Sequence, residues 1–103
     1  MRVMKIVIDH MSDTLEEAQT YYRDYIIYKE SYPKMANAAL EMSQIHLSLY
    51  TKWHDVVVTL INEYKMKHGD VPKTMQEIYD YEHKKLVEEY DSLNYKIKNA
   101  RSM

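Results

Sequence analysis

Hydrophobic residues recur along this chain in steps of three and four, in three separate runs. In the first third they fall at Met4, Val7, Met11, Leu15, Ala18, Tyr22 and Tyr25, a spacing that lines one face of an α-helix. It predicts a first helix over about residues 2–30. A second start is open, because Ser12 and Asp13 followed by Glu16 and Glu17 also form a good helix N-terminus and would leave residues 1–11 as an arm. The unbroken period favours the longer helix.

The middle run falls at Met35, Ala39, Met42, His46, Leu49, Trp53, Val56, Leu60 and Tyr64. Its ends are punctuated more clearly than any others: Pro33 opens it, and Lys67-His68-Gly69-Asp70-Val71-Pro72 closes it. Proline is tolerated in the first turn of a helix and glycine just past its end, so a central helix is predicted over about residues 33–68, roughly 50 Å long. His68, before the glycine, reads as a C-terminal cap residue. The last run, Met75, Tyr79, Leu86, Tyr90, Leu93, Ile97 and Ala100, predicts a third helix over about residues 72–101 with Asp70 as its cap.

Three amphipathic helices joined by very short turns pack antiparallel. The expectation is an all-α fold, an up-down-up three-helix bundle with a long central helix and crossing angles of about 20°. One glycine and two prolines leave few turns for a sheet protein. At 103 residues the chain forms a single domain that buries only about two-thirds of its unfolded surface. A core that thin points to a homo-oligomer.

Composition narrows the chemistry. The absence of cysteine excludes disulfides, thiolate metal sites and cysteine nucleophiles. There is no glycine-rich phosphate loop and no nucleophile elbow. Arg2 and Lys5 precede only three apolar residues before Asp9, too short a stretch for a signal peptide, and no run approaches a membrane span. A soluble cytoplasmic protein without membrane contact is expected. The net charge of −2 is spread along the chain, and a basic face for phosphate neutralisation is lacking, so nucleic acid is not an expected partner.

Eleven tyrosines stand beside no phenylalanine. Tyr21, Tyr22, Tyr25, Tyr28 and Tyr32 crowd the end of the first helix, where tyrosine either replaces phenylalanine in a thin, half-wet core or lines an interface. Under the second reading Tyr21, Tyr25, Tyr28 and Tyr32 are candidate partner-binding residues.

Five histidines are the candidates for metal or acid–base work. Folding the hairpins brings His54 level with about residue 9 on the first helix and about residue 86 on the third. His10, His54, Asp80 and His83 therefore form a candidate metal site, Asp80 and His83 being an acid-x-x-His pair on one helix face. Solvated histidines on the helix flanks are the plainer alternative. His46, on the apolar row, reads as a core histidine satisfied by Glu16, Glu17 or Gln19.

Tyr21-Tyr22-Arg23-Asp24-Tyr25, then Tyr32-Pro33-Lys34-Met35-Ala36 leading to His46 and His54-Asp55-Val56-Val57, resembles the first helical hairpin of rubrerythrin-like proteins in the ferritin-like superfamily. Lys67-His68-Gly69-Asp70-Val71-Pro72 with Ile78-Tyr79-Asp80-Tyr81-Glu82-His83-Lys84-Lys85 resembles a set of small ferritin-like proteins found in anaerobic Gram-positive bacteria and their prophages. The resemblance covers nearly the whole chain and implies a ferritin-like bundle completed by oligomerisation. Ferritin-like iron sites take a glutamate from one helix and a Glu-x-x-His pair from the next, in two hairpins. Here Ser43 stands three residues before His46, Leu49 three after it, and only Asp80 with His83 approaches the pattern. The expected function is therefore a non-catalytic scaffold acting by protein binding or self-assembly, of a prophage accessory type, with no cofactor. The alternative is a metal protein holding iron, manganese or zinc for redox or oxygen-species chemistry.

Overall fold

The computed structural model describes residues 2–102 of the chain. They form three helices, α1 (Arg2–Tyr28), α2 (Pro33–His68) and α3 (Lys73–Ser102), and no strand occurs among the described residues. The molecule is a rod of 56 × 19 × 17 Å, its long axis set by α2, which at about 1.5 Å per residue is about as long as the rod.

The turns are built from the residues that punctuate the sequence. Tyr28 accepts from the Tyr32 amide at 2.8 Å, and Tyr32 in turn accepts from the Ala36 amide at 2.9 Å. Pro33 follows in the first turn of α2, where a missing N–H costs nothing. At the other end Gly69 takes φ 85°, a left-handed conformation that a side chain would resist. Its amide donates to Lys65 O at 2.8 Å. Lys65, Lys67 and His68 occupy the last turn of α2, where positive charge complements the helix dipole. The Gln76 amide donates to Pro72 O at 3.0 Å. Pro72 rather than Asp70 therefore stands at the cap position of α3, and Asp70 belongs to the turn.

α1 is continuous from its start. Met4, Val7, Ile8 and Met11 are buried together with Leu15 and Ala18, so burial of the first three turns outweighs the helix-start signal at Ser12 and Asp13. On α3 the buried residues are Met75, Leu86, Leu93 and Ile97, with Tyr79, Tyr90 and Ala100 packed against the core.

α2 departs from the expected face. Its buried residues are Ala36, Ala39, Leu40, Ser43, Leu47, Tyr50, Val57 and Ile61, a row turned about one residue from the one read in the sequence. Met35, Leu49 and Val56 are substantially exposed, and His46 lies at the edge. The reason is steric. Ala36, Ala39 and Ser43 are small and admit α1 closely, whereas methionine, leucine and tryptophan at the same level would hold it off. Ser43, fully buried, donates its hydroxyl to Ala18 O at 2.6 Å across the two helices. Facing residues include His10 with Trp53, Ala18 with Ser43, His54 with His83 and Tyr50 with Tyr90. α3 approaches the other two helices less closely than they approach each other.

Replacing Ser43 by alanine removes one interhelical hydrogen bond and is expected to cost about 1 kcal/mol. Ser43→Leu is expected to cost more, roughly 1–3 kcal/mol, through overpacking against α1. Urea unfolding followed by circular dichroism measures both, and equal midpoints for the two variants would contradict a close α1–α2 contact.

Candidate functional site

Two regions have the makings of a site, and they lie on different sides of α2. The first is the seam between α2 and α3, where large aromatic rings fill a gap wider than the one facing α1. Tyr50 stacks on Tyr90 with ring centroids 4.9 Å apart and planes 21° from parallel. One turn further along α2, His54 lies 4.7 Å from His83, which in turn lies 5.0 Å from Tyr79. Offset rings of this kind interact by about 0.5–1.5 kcal/mol beyond the area they bury.

Tyr50, Tyr79 and His83 in this seam are shifted toward their neutral forms. Burial, followed by the charges of Asp91 and other neighbours, pushes the Tyr50 phenol up to about 12. Burial and Asp80 raise Tyr79 in the same direction. Burial, and then the neighbouring His54, lower the His83 imidazole, while Asp80 partly opposes them. The Tyr50 hydroxyl and His54 Nδ1 are buried without a hydrogen-bond partner among the described residues. A metal-ligating histidine normally has its second nitrogen oriented by a carboxylate or carbonyl, and His54 Nδ1 has neither. The seam is thus an aromatic spine that carries two imidazoles, His54 and His83.

Of the four expected metal ligands, the structure brings His54 and His83 together. Asp80 is exposed and accepts from Gln76 Nε2 at 2.7 Å. His10 is exposed and stacks on Trp53 with centroids 4.6 Å apart. Among the described residues no three of histidine, cysteine, aspartate or glutamate are grouped as a metal would require. The carboxylate-rich donor set of a two-iron centre does not fit these residues within one chain.

His46 sits at the edge of the α1–α2 contact with its side chain 17% exposed. Its Nδ1–H donates to Met42 O at 2.9 Å, and Nε2 stands 4.0 Å from Glu17, one of the carboxylates expected opposite it. Tyr21 lies 5.2 Å from its ring.

The second region is the face of α2 turned away from the core. Met35 is 48% exposed, Ile45 51%, Leu49 37% and Val56 38%, and Met42, Trp53 and Leu60 are half-buried between them. These residues form a second apolar row beside the buried one. Because His10 meets Trp53, Ile6 and Val3, one and two turns earlier on the same face of α1, continue the row at the level of residues 56–60; both are exposed. Tyr21 and Tyr28 line a groove with Met35, Ala38 and Met42 at the other end. Tyr25 instead packs against Tyr22 and the core, and Tyr32 is exposed at the turn with its ring edge-on to Tyr28. Nothing in the spacing alone separates the two rows, since each has helical period; the run of alanine and serine on one of them is the signal that marks it as the close contact.

Comparison with protein-family models, curated proteins and solved structures finds no match for this chain. No helix among the described residues is long and apolar enough to cross a membrane.

The lowered pKa of His83 has a stability consequence. A proton binds His83 less readily in the folded chain than in the unfolded one, so its contribution to stability is present above the unfolded pKa and lost as pH falls through the folded pKa. Urea midpoints are expected to drop between pH 7.5 and 5, and His83→Gln is expected to flatten that slope; an unchanged slope would show that the imidazole is not desolvated at the seam.

Proposed function

We propose that this chain is a ferritin-like helical scaffold, an up-down-up bundle completed by oligomerisation, that acts by protein binding or self-assembly and not by catalysis. The observation that carries this reading is the second apolar row of α2. A helix apolar on one face is satisfied by one layer of neighbours, whereas a helix apolar around most of its circumference belongs in the interior of a larger assembly. α1 and α3 cover one side of α2 only. The facing pairs within the chain support the up-down-up arrangement, and the rubrerythrin-like motifs support the ferritin-like assignment and a prophage accessory role.

One observation favours a second reading, a metal-binding protein with redox or oxygen-species chemistry: His54 and His83 lie with ring centroids 4.7 Å apart. Such a site needs carboxylates from another chain. Iron, manganese or zinc bound in proportion to the chain and lost with His83→Ala is the result that would replace the scaffold reading.

Ile45→Lys combined with Val56→Lys tests the apolar row directly. Both positions are exposed, so stability is expected to change by no more than about 0.5 kcal/mol while association, read by light scattering, is lost. A double variant that associates as the unmodified chain does would contradict the proposal.

A further inference from the structure

The second row of α2 is self-complementary. About position 47, Met35 pairs with Leu60, Ala38 with Val56, Met42 with Trp53 and Ile45 with Leu49, each pair equidistant from that point to within one residue. Glu41 and Lys52 flank the row and are centred on nearly the same point. They are eleven residues apart, three helical turns, and therefore share a face. Both are exposed, and neither takes part in the salt bridges found among the described residues. Arg101 stands across a shallow groove from Glu41 and Ile45, a second cation on that side.

A two-fold contact has the property that if residue i meets j, then j meets i. An antiparallel pairing of two α2 helices about residue 47 therefore sets small Ala38 against Val56 and Met42 against the broad ring of Trp53. It also places Glu41 of each chain beside Lys52 of the other, twice. Parallel pairing about a two-fold would put the two copies of Glu41, and of Lys52, on opposite edges of the contact and would not bring Glu41 beside Lys52.

The surface of the chain leaves room for such a contact. A compact monomer of 12.4 kDa exposes about 6,100 Å², and this chain exposes 7222 Å². The difference, about 1,100 Å², follows from the rod shape, whose long side offers the length over which a standard interface of about 800 Å² per partner can form.

We infer that a second copy of this chain covers the outer row of α2, the two central helices lying antiparallel about residue 47 with Glu41 paired to Lys52 of the other copy. This rests on the self-assembly reading above and specifies its occupant and geometry. Tyr21 and Tyr28 then lie beside the interface and the α2–α3 seam outside it.

Charge reversal tests the geometry. Sedimentation equilibrium of the full chain at low ionic strength is expected to show a mass twice that of one chain. Glu41→Lys and Lys52→Glu are each expected to raise the dissociation constant about tenfold, because each converts two opposite-charge contacts into two like-charge ones. The combined E41K/K52E variant is expected to return to within about threefold of the unmodified chain. Lys52→Glu leaves Glu41 and Arg101 untouched, so its effect does not depend on that neighbour. A dimer indifferent to the single reversals, or a combined variant no better than the singles, overturns the antiparallel pairing while leaving the scaffold reading intact. A trimer or larger ring overturns the two-fold. A chain that stays monomeric at every concentration overturns the second copy as occupant, and the scaffold reading falls with it only if the Ile45→Lys and Val56→Lys substitutions also change no binding.

Discussion

Ala18, Ala36, Ala39 and Ser43 let α1 sit against α2 at a distance that larger side chains would forbid, and the rest of the structure depends on that approach. A helix drawn in closely covers a narrow strip of its neighbour. Along that strip lie the buried residues of α2, from Ala36 to Ile61, and beside it the next row remains open. α3 is held off by tyrosine and histidine rings and closes the other side of the strip instead of reaching round to the open row. The same small residues that make the α1–α2 contact tight thus leave Met35, Ile45, Leu49 and Val56 uncovered.

The seam between α2 and α3 answers to a different constraint. Rings bring apolar area across a wide gap, but Tyr50 and His54 also bring polar atoms into it, and two of those atoms find no partner. Keeping the Tyr50 phenol and the His83 imidazole uncharged among rings is compatible with packing. His54 Nδ1 lacks the carboxylate or carbonyl that orients a ligating histidine. His54 and His83 meet across this seam and bring α3 against α2.

Much of the fold was legible because it is written in punctuation and period. Pro33 and Gly69 mark the limits of α2, and the steps of three and four on α1 and α3 coincide with their buried faces. Period failed on α2 because two adjacent rows satisfy it equally; residue volume distinguishes them, and the larger apolar residues draw attention to the wrong one. That error displaced two histidines in opposite senses. His46, read as central, lies at an edge, and His54, read as off the row, lies in line with Tyr50, Val57 and Ile61. The level of His54 and His83 along the rod followed from turn positions, whereas their separation from His10 depends on which side of α2 each approaches, which levels alone do not encode. Asp80 kept its place one turn from His83 on α3, yet it faces solvent and Gln76.

The central claim is that the open row of α2 is covered in solution by another copy of the chain, and the single tryptophan stands within that row. Emission and acrylamide quenching of Trp53, followed across protein concentration alongside the mass from light scattering, test the claim without a label or a substitution. The account predicts a blue shift and falling quencher access as the mass doubles, both reversing on dilution. Emission and quenching unchanged while the mass doubles would place the contact elsewhere on the surface and contradict it.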